Sequence, residues 1–426
     1  MKIIENPLEA SLPELLQRPA MDHAALYALV QGVLDGVKKE GDKAVAAYTQ
    51  KFDGVTFDTA IVLEAEINEA ALELSPALKE AIQLAAKNIR CFHEAQVSET
   101  IKIETMPGVS CWRKSVGIDK VGLYIPGGSA PLFSTVLMLG VPAVIAGCKE
   151  IILCTPPAAD GKVHPAILYA ARVVGITRIF KIGGVQAIAA MAYGTQTVPQ
   201  VYKIFGPGNQ YVTAAKQLVQ QSGVAIDMPA GPSEVCVLAD ETCNPAFVAS
   251  DLLSQAEHGP DSQVLLVSTS KKVVAEVEVA LAAQLALLPR KDIAQKALDN
   301  STAIVVDDME RAIFIVNSYA AEHLILACNN DEAVAAKITN AGSVFLGNYS
   351  PESVGDYASG TNHTLPTSGY ARAYSGVSVD SFVKKMTFQK LTPAGLQAIG
   401  AAVETMAAAE GLDAHKNAIT IRLQSL

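Results

Sequence analysis

No two of the seven cysteines, Cys91, Cys111, Cys148, Cys154, Cys236, Cys243 and Cys328, have C-x-x-C spacing, and their number is odd. A zinc knuckle, a dithiol centre and a paired disulfide framework are all disfavoured, and the cysteines read as small core residues in a reducing compartment. A basic excess is missing as well. The chain has 33 Lys and Arg against 43 Asp and Glu, a formal charge of −10. A nucleic-acid partner would need a basic stripe. The N-terminus, Met1-Lys2-Ile3-Ile4-Glu5-Asn6-Pro7, has no apolar run and no cleavage motif, so the expectation is a cytoplasmic protein without a signal peptide. Residues 121–148 carry no charge, but Pro126, Pro131 and Pro142 and five glycines interrupt them. A membrane-spanning helix needs about 20 apolar residues with an intact backbone ladder, so this stretch reads as a buried strand, a glycine turn and a buried helix.

What is present is a globular composition of 426 residues, 50% hydrophobic and 18% charged, enough for more than one core. The first part of the chain reads as mainly helical. Leu26, Leu29, Val30, Val33 and Val37 fall on one helical face, and Ser75-Pro76 caps a second helix carrying Leu78, Ile82, Ala86 and Ile89. From about residue 120, short strands (121–125, 151–154, 179–182, 201–205) alternate with helices (131–139, 166–174, 185–193, 211–220). A second run follows, with strands 235–238, 264–267, 304–306 and 343–346 and helices 245–258, 273–287 and 309–319. Such alternation implies parallel sheets covered by helices. The expected fold is α/β, with two doubly wound, Rossmann-like domains at 118–230 and 231–379. A mainly helical region, 1–117, precedes them and a helical tail, 380–426, follows. Asp227-Met228-Pro229-Ala230-Gly231-Pro232 marks the boundary between the two sheets.

Three glycine turns stand between a predicted strand and a predicted helix: Pro126-Gly127-Gly128-Ser129, Gly183-Gly184-Val185-Gln186 and Gly206-Pro207-Gly208-Asn209. Backbone N–H groups at such turns can approach an anion, and three in one half point to a nucleotide or phosphate cleft. None spells G-x-G-x-x-G, no G-x-x-x-x-G-K-[ST] occurs, and tight turns also use glycine for its backbone freedom alone.

His23, His93 and His164 sit in ordinary helical or loop contexts, whereas His258, His323, His363 and His415 lie in polar clusters. Gln255 and His258 fall at i and i+3 near the end of a helix that Asn244-Pro245 opens, so both face one side. Gly355-Asp356-Tyr357-Ala358-Ser359-Gly360-Thr361-Asn362-His363 is a polar loop dense in donors and acceptors, and His415 adds an imidazole near the C-terminus. Two imidazoles, a carboxylate and an amide would make a thiolate-free site suited to a substrate-binding metal. Glu322-His323 places an acid beside a base before an apolar strand. That pairing suits water activation and proton transfer, although adjacent Glu-His also arises by chance.

Taken in order, Gly122-Leu123-Tyr124-Ile125-Pro126-Gly127-Gly128, Phe205-Gly206-Pro207-Gly208-Asn209, Asp227-Met228-Pro229-Ala230-Gly231-Pro232-Ser233-Glu234, Ser254-Gln255-Ala256-Glu257-His258-Gly259-Pro260-Asp261-Ser262, Glu322-His323-Leu324, the Gly355 to His363 loop and Ala414-His415-Lys416-Asn417 resemble the histidinol dehydrogenase family. The resemblance runs from about residue 10 to the end. It implies oxidation of L-histidinol to L-histidine through the aldehyde, with Zn2+ and NAD. It assigns Gln255, His258, Asp356 and His415 to the metal, and Glu322 and His323 to acid–base catalysis. Tyr124, Gln186 and Asn209 would contact NAD. Ser233, Gln255, His258, His323, Asp356, Glu410 and His415 would contact substrate, with His363 in support. It further implies a homodimer whose tail brings Glu410 and His415 to the partner's site. One departure is Ala321, where the family pattern has proline. The competing expectations are a zinc hydrolase that uses no NAD, a dehydrogenase of a related amino alcohol, and a non-catalytic small-molecule binder.

Overall fold

The computed structural model describes residues 1–18, 23–127, 131–229 and 231–426, with the side chains of His23 and Ala24 left aside. The end of the first glycine turn (Gly128, Ser129, Ala130), Ala230 of the expected boundary and the side chain of His23 therefore lie outside the described residues.

The chain opens on a short strand, β1 (Lys2–Glu5), and continues through helices that include His23–Glu40, Asp42–Asp53, Glu64–Glu73 and Pro76–Glu94. Strands β2 (Lys102–Met106) and β3 (Val109–Gly117) follow, and then the first alternating run: β4 (Lys120–Tyr124), β5 (Glu150–Thr155), β6 (Arg178–Lys181), β7 (Lys203–Phe205) and β8 (Ala225–Ile226). The second run is β9 (Glu234–Ala239), β10 (Gln263–Ser268), β11 (Thr302–Val305), β12 (His323–Ala327) and β13 (Ser343–Leu346). Strand β14 (Val383–Leu391) and the helices Pro393–Ala409 and Asp413–Gln424 close the chain.

The first parallel sheet has the order β6-β5-β4-β7-β8 and the second the order β1-β11-β10-β9-β12-β13. Setting β1 aside, each sheet takes its five strands in the sequence third, second, first, fourth, fifth, which is the doubly wound arrangement with a switch point between first and fourth. The two halves thus repeat one architecture. Their strands are apolar on both faces, as in Val235, Cys236, Val237 and Leu238, because helices cover both sides.

Helices dominate the N-terminal region and the tail, as expected, but strands accompany them. Both the N-terminal region and the tail contain strands, and β14-β3-β2 form an antiparallel sheet of their own. Most of its residues are exposed or half-buried, with Ile101 at 73% and Ile103 at 58% exposure beside or within β2. A sheet with no fully covered face lacks the strict apolar alternation by which a half-buried strand is recognised. Strand β1 pairs with β11 and so extends the second sheet from the opposite end of the chain.

The tail is anchored to the first half by one aromatic stack. Phe382, fully buried ahead of β14, lies 3.9 Å from Phe205 at the end of β7. The Ile118 N–H donates to the Phe382 carbonyl at 2.8 Å. Phe382→Ala should cost about 3–5 kcal/mol by opening a cavity there, read as a lower midpoint in urea unfolding; an unchanged midpoint would show that this stack does not hold the tail.

Candidate active site

The helix Met309–Tyr319 stops at Ala320, which adopts a left-handed conformation (φ 55°) and turns the chain into β12. Glu322 precedes that strand and His323 opens it, opposite Val235 of β9. Both side chains are buried, and the backbone of Glu234 meets both. Its N–H donates to Glu322 Oε2 at 3.0 Å, and its carbonyl accepts from His323 Nδ1 at 3.3 Å. Burial pushes the Glu322 carboxyl up to about 8, partly offset by His323 and by the Glu234 N–H. Burial works the other way on His323. The surrounding carboxylates outweigh it: Glu322 at 3.6 Å, Asp356 at 3.3 Å and Glu352 at 4.0 Å raise the imidazole to about 10. Carboxyl and imidazole groups this close titrate as a unit.

The helix Pro245–Ala256 begins as its sequence implies, with the Asn244 side chain accepting from the Ala246 N–H and Pro245 in the first turn. It ends sooner than expected, so His258 is not a helical residue. Glu257 closes the helix, and the His258 N–H returns to the Gln255 carbonyl at 3.2 Å. Gly259 before Pro260 discourages a further helical turn. Asp356 comes from the short helix Glu352–Tyr357, so what read as one loop begins as the end of a helix. Its carboxylate interacts electrostatically with His323, His363 and His258. His363 bridges the two halves: Nδ1 meets the Asp356 carbonyl at 2.9 Å and Nε2 the Thr135 hydroxyl at 3.0 Å.

Gln255 is buried with its Nε2 unpartnered, while Asp356 Oδ1, His323 Nε2 and Glu352 Oε2, also buried, have only the ion-pair contacts given above. Unsatisfied buried polar atoms are uncommon, and a cluster of them calls for a ligand. Among the described residues, no group of three or more His, Cys, Asp or Glu side chains is arranged to hold a metal ion. Of the four residues expected at the metal, His258 and Asp356 interact electrostatically, and the Gln255 backbone carbonyl meets the His258 N–H. His415 and Glu410 are exposed, at the start of the helix Asp413–Gln424 and just after Pro393–Ala409, and neither lines the pocket described next.

That pocket, about 290 Å³, is walled by Ser233, His258, Glu322 and His363 from the second half and by Gly206 to Asn209 from the first. Gly206 is obligatory there: at φ 131°, an added Cβ would lie 2.0 Å from the Tyr124 carbonyl oxygen. Its turn is gripped by a buried ion pair between Lys216 and Asp227. Lys216 Nζ donates to the Gly206 carbonyl at 2.7 Å, and the Gly206 N–H donates to Asp227 Oδ2 at 2.8 Å.

A larger cavity, about 730 Å³, lies at the carboxyl ends of β4, β5, β6 and β7, where a doubly wound sheet binds its ligand. Tyr124, Gln186 and Asn209 all line it. The Gly184 N–H donates to the Tyr124 hydroxyl oxygen at 3.0 Å, and burial pushes that phenol up to about 12. Gln186 Nε2 donates to Asp53 Oδ2 at 3.3 Å while its Oε1 is unpartnered. Asn209 caps the helix Gln210–Val219, accepting from the Tyr211 and Val212 N–H groups at 3.1 Å each. It stands in the wall of both cavities and joins them.

Several site residues escaped the sequence reading. Asp53, Thr155 and His164 line the larger cavity, and Thr155 Oγ1 is buried without a partner. His164, taken as structural, does cap the helix Pro165–Val174 through Nδ1. His93 is fully buried against the Ile89 carbonyl, as a packing histidine. The findable signals were Lys216, a lone cation on the apolar stripe of Val212, Ala215 and Val219, and Glu234, an acid heading an all-apolar strand.

A ligand cavity at the carboxyl ends of a doubly wound sheet, joined to a pocket holding a buried carboxyl–imidazole pair, defines a dehydrogenase-type oxidoreductase. The family model described as histidinol dehydrogenase matches residues 16–423, and the chain belongs to that family. Histidinol dehydrogenase of Bacteroides thetaiotaomicron is 61% identical over 426 residues, covering 100% of both chains. That of Xylella fastidiosa is 54% identical over 429 residues, again covering 100% of each. The crystal structure of histidinol dehydrogenase from Elizabethkingia anophelis superposes with a TM-score of 0.98 at 56% identity, covering 100% of this chain and 98% of that one. No helix among the described residues is long and apolar enough to cross a membrane.

Proposed function

We propose that the chain oxidises L-histidinol to L-histidine in two NAD-dependent steps at the Glu322–His323 pocket, with a divalent metal, zinc by donor chemistry, and a second copy of the chain completing the site. The observation that carries this reading is the buried Glu322–His323 pair, of which Glu322 lines a pocket that shares Asn209 with the cavity of the first sheet. The larger cavity takes the dinucleotide, with Tyr124, Gln186 and Asn209 as contacts. The smaller pocket takes the amino alcohol, with Ser233, Gln255, His258, His323 and Asp356 around it.

Imidazole nitrogen, carboxylate and amide oxygen suit zinc, which when bound would hold and orient the nitrogen ligands of the substrate. Gln255, His258 and Asp356 would supply three donors and the partner copy's tail the fourth, His415, together with Glu410 as a substrate contact. The exposed apolar side chains Met406 (66%) and Ile421 (57%) on the two tail helices support docking of the tail on a second copy. With Asp356 engaged by such a cation, the negative charge that raises His323 would be offset and the imidazole would return towards the neutral form a base needs.

In the first oxidation His323 accepts the hydroxyl proton as hydride leaves the substrate carbon for the oxidised dinucleotide. In the second, Glu322 deprotonates a water that adds to the aldehyde, and a second hydride leaves. His363 holds the Asp356 backbone in place through both steps. Purified protein should form two NADH per histidinol, carry about one zinc per chain by elemental analysis, and lose the activity on chelation; turnover without NAD, or undiminished activity after the metal is stripped, would overturn the reading.

A further inference from the structure

We infer that Arg18 and Glu234 form a positioning pair for Glu322 and His323, an inference that rests on reading those two residues as the acid–base pair. Glu234 is 1% exposed, and its carboxylate acts on Glu322 only through charge, with its hydrogen bonds made to other groups. Instead, Oε2 accepts from Arg18 Nε at 3.1 Å and from Nη2 at 2.5 Å, and Oε1 accepts from the Ser368 N–H. What faces the catalytic side chains is its peptide group, with the N–H on Glu322 Oε2 and the carbonyl on His323 Nδ1. One residue therefore orients both, and its side chain is fixed by a guanidinium 216 positions earlier in the sequence.

Arg18 also reaches the second strand of the site. Nη2 donates to the Tyr319 carbonyl at 2.9 Å, and the guanidinium lies 3.9 Å from the centroid of the Tyr319 ring. Tyr319 ends the helix just before the turn through Ala320 into Glu322. Arg18 thus ties the start of β9 to the entry of β12, the two segments whose relative position sets the Glu234–Glu322 and Glu234–His323 hydrogen bonds. A fork of five donors suits this double attachment; an ammonium does not make it. Positional errors near 1 Å at a reacting centre cost about 100-fold in rate, so a clamp at this point acts on turnover more than on binding.

The test compares Arg18→Lys, Arg18→Ala and Glu234→Gln with the parent zinc-loaded enzyme, with Glu322→Gln alongside. We expect kcat to fall about 10-fold in Arg18→Lys and about 100-fold in Arg18→Ala, with KM for histidinol and NAD within about twofold. Added guanidinium chloride at low concentration should restore part of the Arg18→Ala rate but none of the Glu322→Gln rate. Circular dichroism and thermal melts confirm folded protein at the assay temperature; Glu234→Gln, nearly isosteric, stands in should the alanine variant not fold. The inference is overturned by folded Arg18 variants with the parent kcat, or by losses that only track the unfolded fraction. Slow Glu322→Gln beside fast Arg18 variants removes the positioning role alone, whereas fully active Glu322→Gln removes the acid–base reading and this inference with it.

Discussion

Glu322→Gln should slow oxidation of the aldehyde by about 100- to 10,000-fold while leaving the alcohol-to-aldehyde hydride transfer within about tenfold of the parent, the range expected for loss of a general base in one step of two. The asymmetry follows from the geometry. Burial lifts Glu322 to about 8, so its carboxylate, once ionised, is a stronger base towards water than an ordinary carboxylate, and one N–H donor holds it. His323, bonded to the Glu234 carbonyl through Nδ1, has its Nε2 beside Asp356 at 3.3 Å, and on the proposed reading it is that nitrogen which takes the substrate's hydroxyl proton. Glutamine keeps the size and one acceptor oxygen but takes no proton. The measurement is a single-turnover record of NADH from histidinol and, separately, from histidinal. Equal losses in the two steps would remove the division of labour between Glu322 and His323.

The second large effect concerns the missing donor. His258→Asn and His415→Asn should each abolish activity, and mixing the two inactive proteins after subunit exchange should restore about one quarter of the parent rate, the share of intact sites in randomly reassorted dimers with a tail exchanged between subunits. The expectation comes from an incomplete set: His258 interacts electrostatically with Asp356 and follows Gln255 by three residues, whereas His415 is exposed on a separate helix. Activity is read as NADH formation with zinc present. A mixture that stays inactive despite demonstrated exchange would place His415 outside the partner's site and sink the shared-site reading.

Much of this architecture was legible because it rests on local rules. The apolar runs of β4, β5, β9 and β10 and the caps at Asn244 and Ser75 follow from burial and from unsatisfied helix ends. The antiparallel sheet was not legible. Lys384, Lys385 and Lys390 in β14 face solvent, and the pairing of β14 with β3 joins residues more than two hundred positions apart. The end of the His258 helix was misread for a different reason. Periodicity continues past Ala256, and only the Gly259-Pro260 step reveals that the backbone does not. Glu322 and His323 could be seen as a pair, but not that the peptide of Glu234 orients both, since strand adjacency is a property of the sheet and not of the sequence.

The two halves share one strand order, yet they present opposite poles to the cleft. The first offers the carboxyl ends of β4 and β7, the second the amino ends of β9 and β12. The crevice at the far pole of the second sheet, between Asp240-Glu241-Thr242 and Asn329-Asn330-Asp331, is closed by its own hydrogen bonds, such as Asn329 N–H to Thr242 Oγ1 at 2.9 Å. Turns at that pole are relieved of chemistry, so they are where length and composition can drift among descendants of this fold while the opposite rim stays under constraint.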